Sequence, residues 1–300
     1  RAWFHLTKTD SDNNTRETLA CLIIDDPLLK LRYGCLDYQK LLAEMKEHHF
    51  FTEIAFIPWN YKRSDPRTVR LFAENPDYFG ICVHGCNHTY NEFGGSNYQE
   101  MSNLSATALW RMEQHKRLTG LLYDPVMVFP QGLFSSVAMQ ALKDQGFRAA
   151  FNSTLRAIDG DELPASEYEQ PATAVYADFP LFLRRYPRNK SHFGQDMEVG
   201  RPILIVEHPS AFRDGYKAIT GLIDWINGLG NVKWTSLLSI ANRYCGLKVD
   251  VGAARQDNSW RPSPLAFNVR VALRRYLSEI RDNYVNANSV FARAYRLMRG

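Results

Sequence analysis

Tyr78-Phe79-Gly80-Ile81-Cys82-Val83-His84-Gly85-Cys86-Asn87-His88 is an apolar run that stops on a pair of histidines. Two other runs end the same way. Leu19-Ala20-Cys21-Leu22-Ile23-Ile24 stops on Asp25-Asp26, and Ile203-Leu204-Ile205-Val206-Glu207 stops on His208. Short apolar runs bounded by such residues read as buried strands of a parallel sheet. A parallel sheet gathers the C-terminal ends of its strands on one face, and ligand sites form there. Residues far apart in the chain therefore converge. Two histidines, a carboxylate and an open position suit a hydrolytic metal site.

Working outward, residues 18–245 alternate apolar runs with helical patterns, the signature of βαβ units. The first helix spans residues 37–49, with Asp37 as its cap. A second strand, Glu53 to Ile57, stops at Pro58-Trp59-Asn60, and Asp65-Pro66 opens the next helix. Residues 87–103 read as a polar loop before a long helix over residues 105–121. Further strands are expected at residues 126–129, 148–151, 182–186, 203–207 and 232–234, with helices over 135–145 and 215–229. Residues 155–175 read as an irregular loop. The pattern predicts a distorted (β/α) barrel of about seven parallel strands in residues 1–245. Residues 246–300 form a basic C-terminal appendage.

At 300 residues the chain has enough apolar sequence for one large core. No run is long enough to span a membrane, and no signal peptide is visible. The chain starts at Arg1 rather than Met, as a processed form would, and the compartment is left open between cytoplasm and cell envelope. The net charge is +4, but residues 265–300 hold seven arginines against two acids. A solvated helix face is the simpler reading of that tail, and an anionic partner the second. No nucleic-acid-binding motif is present. The five cysteines do not read as a disulfide framework. Thiolate ligation by Cys82 and Cys86 is disfavoured, because Cys82 lies inside a strand.

With these motifs in order, the chain resembles the polysaccharide deacetylases of carbohydrate esterase family 4, the NodB-homology group. Four motifs carry the resemblance. Ile23-Ile24-Asp25-Asp26-Pro27 stands for a strand running into Asp-Asp-Gly. His84-Gly85-Cys86-Asn87-His88-Thr89 stands for His-x-x-x-His followed by Thr or Ser. Val128-Phe129-Pro130-Gln131-Gly132 stands for Arg-x-Pro-x-Gly, and Ile205-Val206-Glu207-His208 for the strand with Leu-x-His. The resemblance implies a divalent metal, most often zinc, held by Asp26, His84 and His88. It implies Asp25 as general base toward a water that the metal acidifies, and His208 as the acid that protonates the leaving amine. The backbone N–H of Gln131 would hold the oxyanion. Trp59 and Asn60 are placed to meet a sugar ring, and Glu92 to reach the substrate or support the site.

Three departures mark the chain as an atypical member. Pro27 replaces a Gly, Val128 stands where the Arg that orients the base is expected, and no fourth motif is found. Asp159, Asp161 and Asp178 are weak candidates for the missing acid. Arg184 and Arg185 are the candidates to replace the arginine. Alternate residues of a strand face opposite ways, so only one of the two can point inward. The implied activity is metal-dependent removal of N-acetyl or O-acetyl groups from a carbohydrate. Two alternatives stand beside it: hydrolysis of a small non-sugar amide, and a catalytically silent barrel that binds glycan or protein.

Overall fold

In the computed structural model, residues 17–160, 174–176, 178–188 and 190–245 are described. Seven parallel strands form the frame: β1 (Thr18–Asp25), β2 (Thr52–Phe56), β3 (Phe79–His84), β4 (Asp124–Val128), β5 (Ala150–Asn152), β6 (Phe179–Leu183) and β7 (Ile203–Glu207). They pair in the order β7-β1-β2-β3-β4-β5-β6. The ring closes through a single parallel bridge, Arg185 to Ile205. There Arg185 N–H donates to the Leu204 carbonyl at 2.8 Å, and Val206 N–H donates to the Arg185 carbonyl at 3.0 Å. One bridge in place of a ladder makes this a distorted barrel of seven parallel strands, as the alternating pattern predicts.

The helices follow from the same alternation. They are α1 (Tyr38–His48), α2 (Pro66–Ala73), α3 (Tyr98–Thr119), α4 (Ser136–Asp144), α5 (Ser191–Glu198), α6 (Lys217–Asn227) and α7 (Leu237–Cys245). Asp37 caps α1, accepting from the N–H groups of Gln39 and Lys40 at 3.1 and 3.2 Å. Asp65 caps α2 ahead of Pro66. Two boundaries are corrected: β6 spans Phe179–Leu183, not residues 182–186, and α3 begins at Tyr98, not at residue 105. Asn97 caps it by accepting from Glu100 N–H at 3.1 Å. Its polar first turns are helical because their outer face is solvated, and the sequence shows that polarity without showing its cause.

Two cores result. Alternating residues of β1, β3, β4 and β6, such as Ile23, Cys82, Val128 and Phe182, fill the barrel interior. The opposite alternation, such as Leu22, Ile24, Ile54 and Phe56, packs against the helices. α7 closes the floor of the barrel, where Leu237, Ile240 and Ala241 join the interior cluster. The short strand Val232–Trp234 pairs with the start of β1 and delivers α7 to that end. Ala174–Tyr176 pairs antiparallel with β6, so part of the expected loop is a strand. Among the described residues, no helix is long and apolar enough to cross a membrane. The basic appendage at residues 246–300 lies outside the described residues.

Candidate metal centre

Three strands deliver the chemistry to one mouth. β1 ends at Asp25, β3 ends at His84, and His208 follows β7. Register aligns Asp25 with Ala55 and His84 with Val128. Asp26, His84 and His88 then offer three ligand atoms within 4.8 Å of one another. Asp26 Oδ1 lies 3.3 Å from His84 Nε2 and 2.9 Å from His88 Nε2.

The ring of His84 is oriented from behind. Its Nδ1 sits 2.9 Å from the Val128 carbonyl, which only accepts, so Nδ1 is the protonated nitrogen. Neutral imidazole then leaves its lone pair on Nε2, facing a carboxylate oxygen. Two lone pairs at that distance repel unless a cation lies between them. Asp26 Oδ1 is also sealed from solvent and accepts no well-directed hydrogen bond. An orphaned oxygen among two imidazole nitrogens fits a divalent metal, and the mixed oxygen and nitrogen donor set suits zinc. Burial pushes the Asp26 carboxyl up, and positive charge outweighs it and holds it well below the usual carboxylate range: that of protonated His88 and His84 in the metal-free site, or that of a metal ion between neutral imidazoles.

The loop that carries His88 is built on Glu92. This buried carboxylate accepts from the N–H groups of Cys86 at 2.9 Å, Asn87 at 2.7 Å and His88 at 3.0 Å. Gly85 makes the turn possible at φ +62°, because a Cβ there would collide with the Pro130 ring and lie 2.7 Å from Glu92 Oε2. Arg111 of α3 secures the other side. It donates to the Cys86 carbonyl at 3.1 Å and to Asn87 Oδ1 at 2.8 Å, and it lies over the Trp59 ring at 5.1 Å. Cys86 is not among the three groups whose ligand atoms converge, and burial pushes its thiol up. Asp26, His88 and Gln131 all sit at positive φ without being glycine. Such backbone costs about 1–3 kcal/mol per residue and clusters at functional sites.

Asp25 is nine-tenths or more buried, and Arg184 Nη1 donates to its Oδ1 at 2.6 Å. Val128 supplies no cation, and Arg184 at the end of β6 does. Arg185 turns the opposite way and pairs with Asp196 at 2.5 and 2.9 Å. Burial pushes Asp25 up, and Arg184, then His84 and His208, outweigh it, so its pKa is lowered. The imidazole of His208 lies parallel to the Tyr186 ring, 6.2 Å between centroids and 7° between planes. Asn60 is buried, and its Oδ1 accepts from Arg63 at 3.1 Å. Two of the weak candidates for the missing acid, Asp159 and Asp178, have their partners elsewhere. Asp159 accepts from Ser136, Asp178 is exposed beside Lys143, and Asp161 lies outside the described residues.

Sequence reading did not single out Arg111 or Tyr186. Arg111 carried a weak signal, as a charge on the helix face otherwise lined by Ala108, Met112 and His115. Tyr186 carried none beyond standing two residues past Arg184.

No protein-family profile matches the chain, and no curated protein matches it. Solved structures do. A Mycobacterium smegmatis protein assigned to the polysaccharide deacetylases is 16% identical, with a TM-score of 0.53, over 79% of this chain and 93% of that one. PdaA of Bacillus subtilis, a family 4 carbohydrate esterase, is 16% identical over 77% and 83%, with a TM-score of 0.47. A carbohydrate esterase family 4 pseudoenzyme of Bacillus anthracis is 12% identical over 76% and 66%, with a TM-score of 0.46. The first of these carries the likeness of fold. With its distorted seven-stranded barrel, this chain has the polysaccharide deacetylase fold in an atypical form.

Proposed function

We propose that the protein is a metal-dependent hydrolase that removes acetyl groups, N-linked ones first, from a carbohydrate. One observation carries the reading. Asp25 is held ionised by Arg184 directly beside the Asp26, His84 and His88 cluster. A buried carboxylate kept charged at the edge of three converging ligand groups favours catalysis over a silent barrel.

A divalent ion held by Asp26, His84 and His88, zinc before others, would supply Lewis acidity and lower the pKa of water. Asp25 takes the proton from the water that attacks the acetyl carbonyl carbon. Its pairing with Arg184 fixes the carboxylate and keeps it charged until then. The carbonyl oxygen gains negative charge as the tetrahedral carbon forms, and the backbone N–H of Gln131 donates to it. His208 then gives a proton to the departing amine nitrogen as the carbon–nitrogen bond breaks. Tyr186 keeps the imidazole in one plane for that transfer. Trp59, whose backbone N–H meets the histidine loop and whose one face Arg111 covers, would offer its other face to a sugar.

The test is acetate release by the zinc-loaded protein across N-acetylated and O-acetylated oligosaccharides, beside small acetamides. Release from an oligosaccharide that stops on chelation, and returns with zinc, is the expected result. Release from the small amides alone moves the substrate away from carbohydrate. No release from any compound overturns the hydrolase reading.

A further inference from the structure

The barrel mouth has a second concavity that shares no residue with the metal centre. It measures about 680 Å³ and is walled by the loops that leave β1 and β2. Five cations line it: Lys30, Arg32, Lys62, Arg63 and Arg67. Two carboxylates, Asp37 and Asp65, line it as well. Both carboxylates are already engaged. Asp37 caps α1 and accepts from Arg32 Nε at 2.9 Å, and Asp65 caps α2 and pairs with Arg67 at 3.2 Å. The concavity therefore carries a net +3. The chain carries +4 and its last 36 residues carry +5, so residues 1–264 carry −1. Without these seven groups they would carry −4. Three net positive charges thus share one concave wall, and such a wall focuses their field.

The walls also tie this concavity to the metal centre. The first loop starts directly after Asp25 and Asp26. The second carries Trp59, whose N–H donates to the Cys86 carbonyl in the histidine loop at 3.1 Å. Asp65 N–H donates to the Leu29 carbonyl at 2.7 Å and locks the two loops together. Both walls of the concavity thus belong to loops that start at the metal centre or are hydrogen-bonded to it.

We infer that this basic groove binds an oxyanion-bearing unit of the substrate chain, a uronate or a sugar phosphate, while the acetylated unit occupies the metal centre. The inference rests on the glycan reading given above. It makes the natural substrate an anionic glycan and not a neutral one. Ser64 and Gln39 line the same walls and supply neutral partners for hydroxyl groups.

The test uses the full chain and direct binding, so that it stands apart from acetate release. Three probes are titrated at 50 and 300 mM salt: a galacturonate pentamer, a glycerol-phosphate pentamer and neutral chitopentaose. The expected result is that one anionic pentamer binds at least tenfold tighter at low salt than at high salt. The anion that binds identifies carboxylate or phosphate as the partner. Lys62→Glu combined with Arg63→Glu lowers that affinity at least tenfold. Lys30→Glu repeats the effect if circular dichroism shows the double variant to be misfolded. His84→Ala keeps the salt-dependent binding. Equal binding of neutral and anionic pentamers, no binding of either anion, or charge reversals that change affinity less than twofold would overturn the groove. Absent acetate release with this binding intact overturns the hydrolase reading and leaves the groove standing.

Discussion

Buried and half-buried carboxylates stand at both ends of this barrel, and their proton affinities are shifted in opposite directions. At the mouth, Asp25 has a guanidinium at 2.6 Å and Asp26 has two imidazoles, and both carboxyl pKa values are lowered. At the floor, Glu53 and Asp124 accept from the start of α7, Leu237 N–H at 3.3 Å and Leu238 N–H at 2.8 Å, Asp124 also from the Ser236 side chain, and among the described residues no cation pairs with either. Burial pushes Glu53 well up, and the neighbouring Asp124 pushes the same way. Asp124 is raised by burial too, against the lowering by its hydrogen bonds. Burial is common to the two ends, so the cations make the difference. The fold favours the charged carboxylate at the mouth, beside the converging ligand groups, and disfavours it at the floor.

The sharpest way to break this contrast is the same isosteric exchange at each end. Asp25→Asn cannot accept a proton, so turnover falls about a hundred- to ten-thousand-fold. Glu53→Gln changes turnover less than twofold. Steady-state acetate release compares the two, and equal losses would show that both act through the fold.

Next in size is the cation itself. Arg184→Met leaves Asp25 buried and unpaired, which costs about 3–5 kcal/mol. Adding Asp25→Asn to that variant removes the stranded charge and restores more than half of the loss. Urea unfolding midpoints measure both. A pair of losses that simply add would show that the two side chains do not interact.

A smaller loss comes from the carboxylate under the histidine loop. Glu92→Gln replaces one acceptor oxygen by a donor facing three N–H groups. Metal affinity should fall about 10- to 100-fold. A competition titration with a zinc chelator reads this, and an unchanged affinity would show that the loop holds its shape without the charge.

The smallest effect belongs to the floor and depends on pH. Folded Glu53 binds its proton more tightly than the unfolded chain does. Its contribution is complete below the unfolded pKa of about 4.3, and is lost as pH rises toward the folded value. Gln suffers no such loss. The stability of Glu53→Gln relative to wild type should therefore rise from pH 4 to pH 8 by unfolding in urea, and a relative fall would reverse the assignment.

Much of this was legible in the sequence because strand-terminal chemistry is a local signal. An apolar run of six followed by Asp-Asp or His gives both the strand and the direction of the side chain. The choice between Arg184 and Arg185 was legible only as an alternative, since alternation says that one faces inward and not which. Other features depend on contacts between distant segments. Arg111 lies deep in a helix, and its partner Cys86 is 25 residues earlier. α7 has an ordinary amphipathic pattern, and nothing local tells that its apolar side enters the barrel floor. Glu92 was recognisable as a neighbour of the histidines, but its three N–H partners appear only once the loop is folded. The short helix Ser191–Glu198 went unread because Gly194 interrupts its pattern.

The central claim is that the mouth is a metal centre in which the adjacent aspartates divide the work. Metal content of the purified protein tests it most directly, by plasma mass spectrometry after equilibration with zinc and removal of excess. Wild type and Asp25→Asn should each retain one ion per chain, and Asp26→Asn and His84→Ala should lose most of it while keeping their fold. One ion per chain retained by both Asp26→Asn and His84→Ala, or equal loss from Asp25→Asn and Asp26→Asn, would contradict the account.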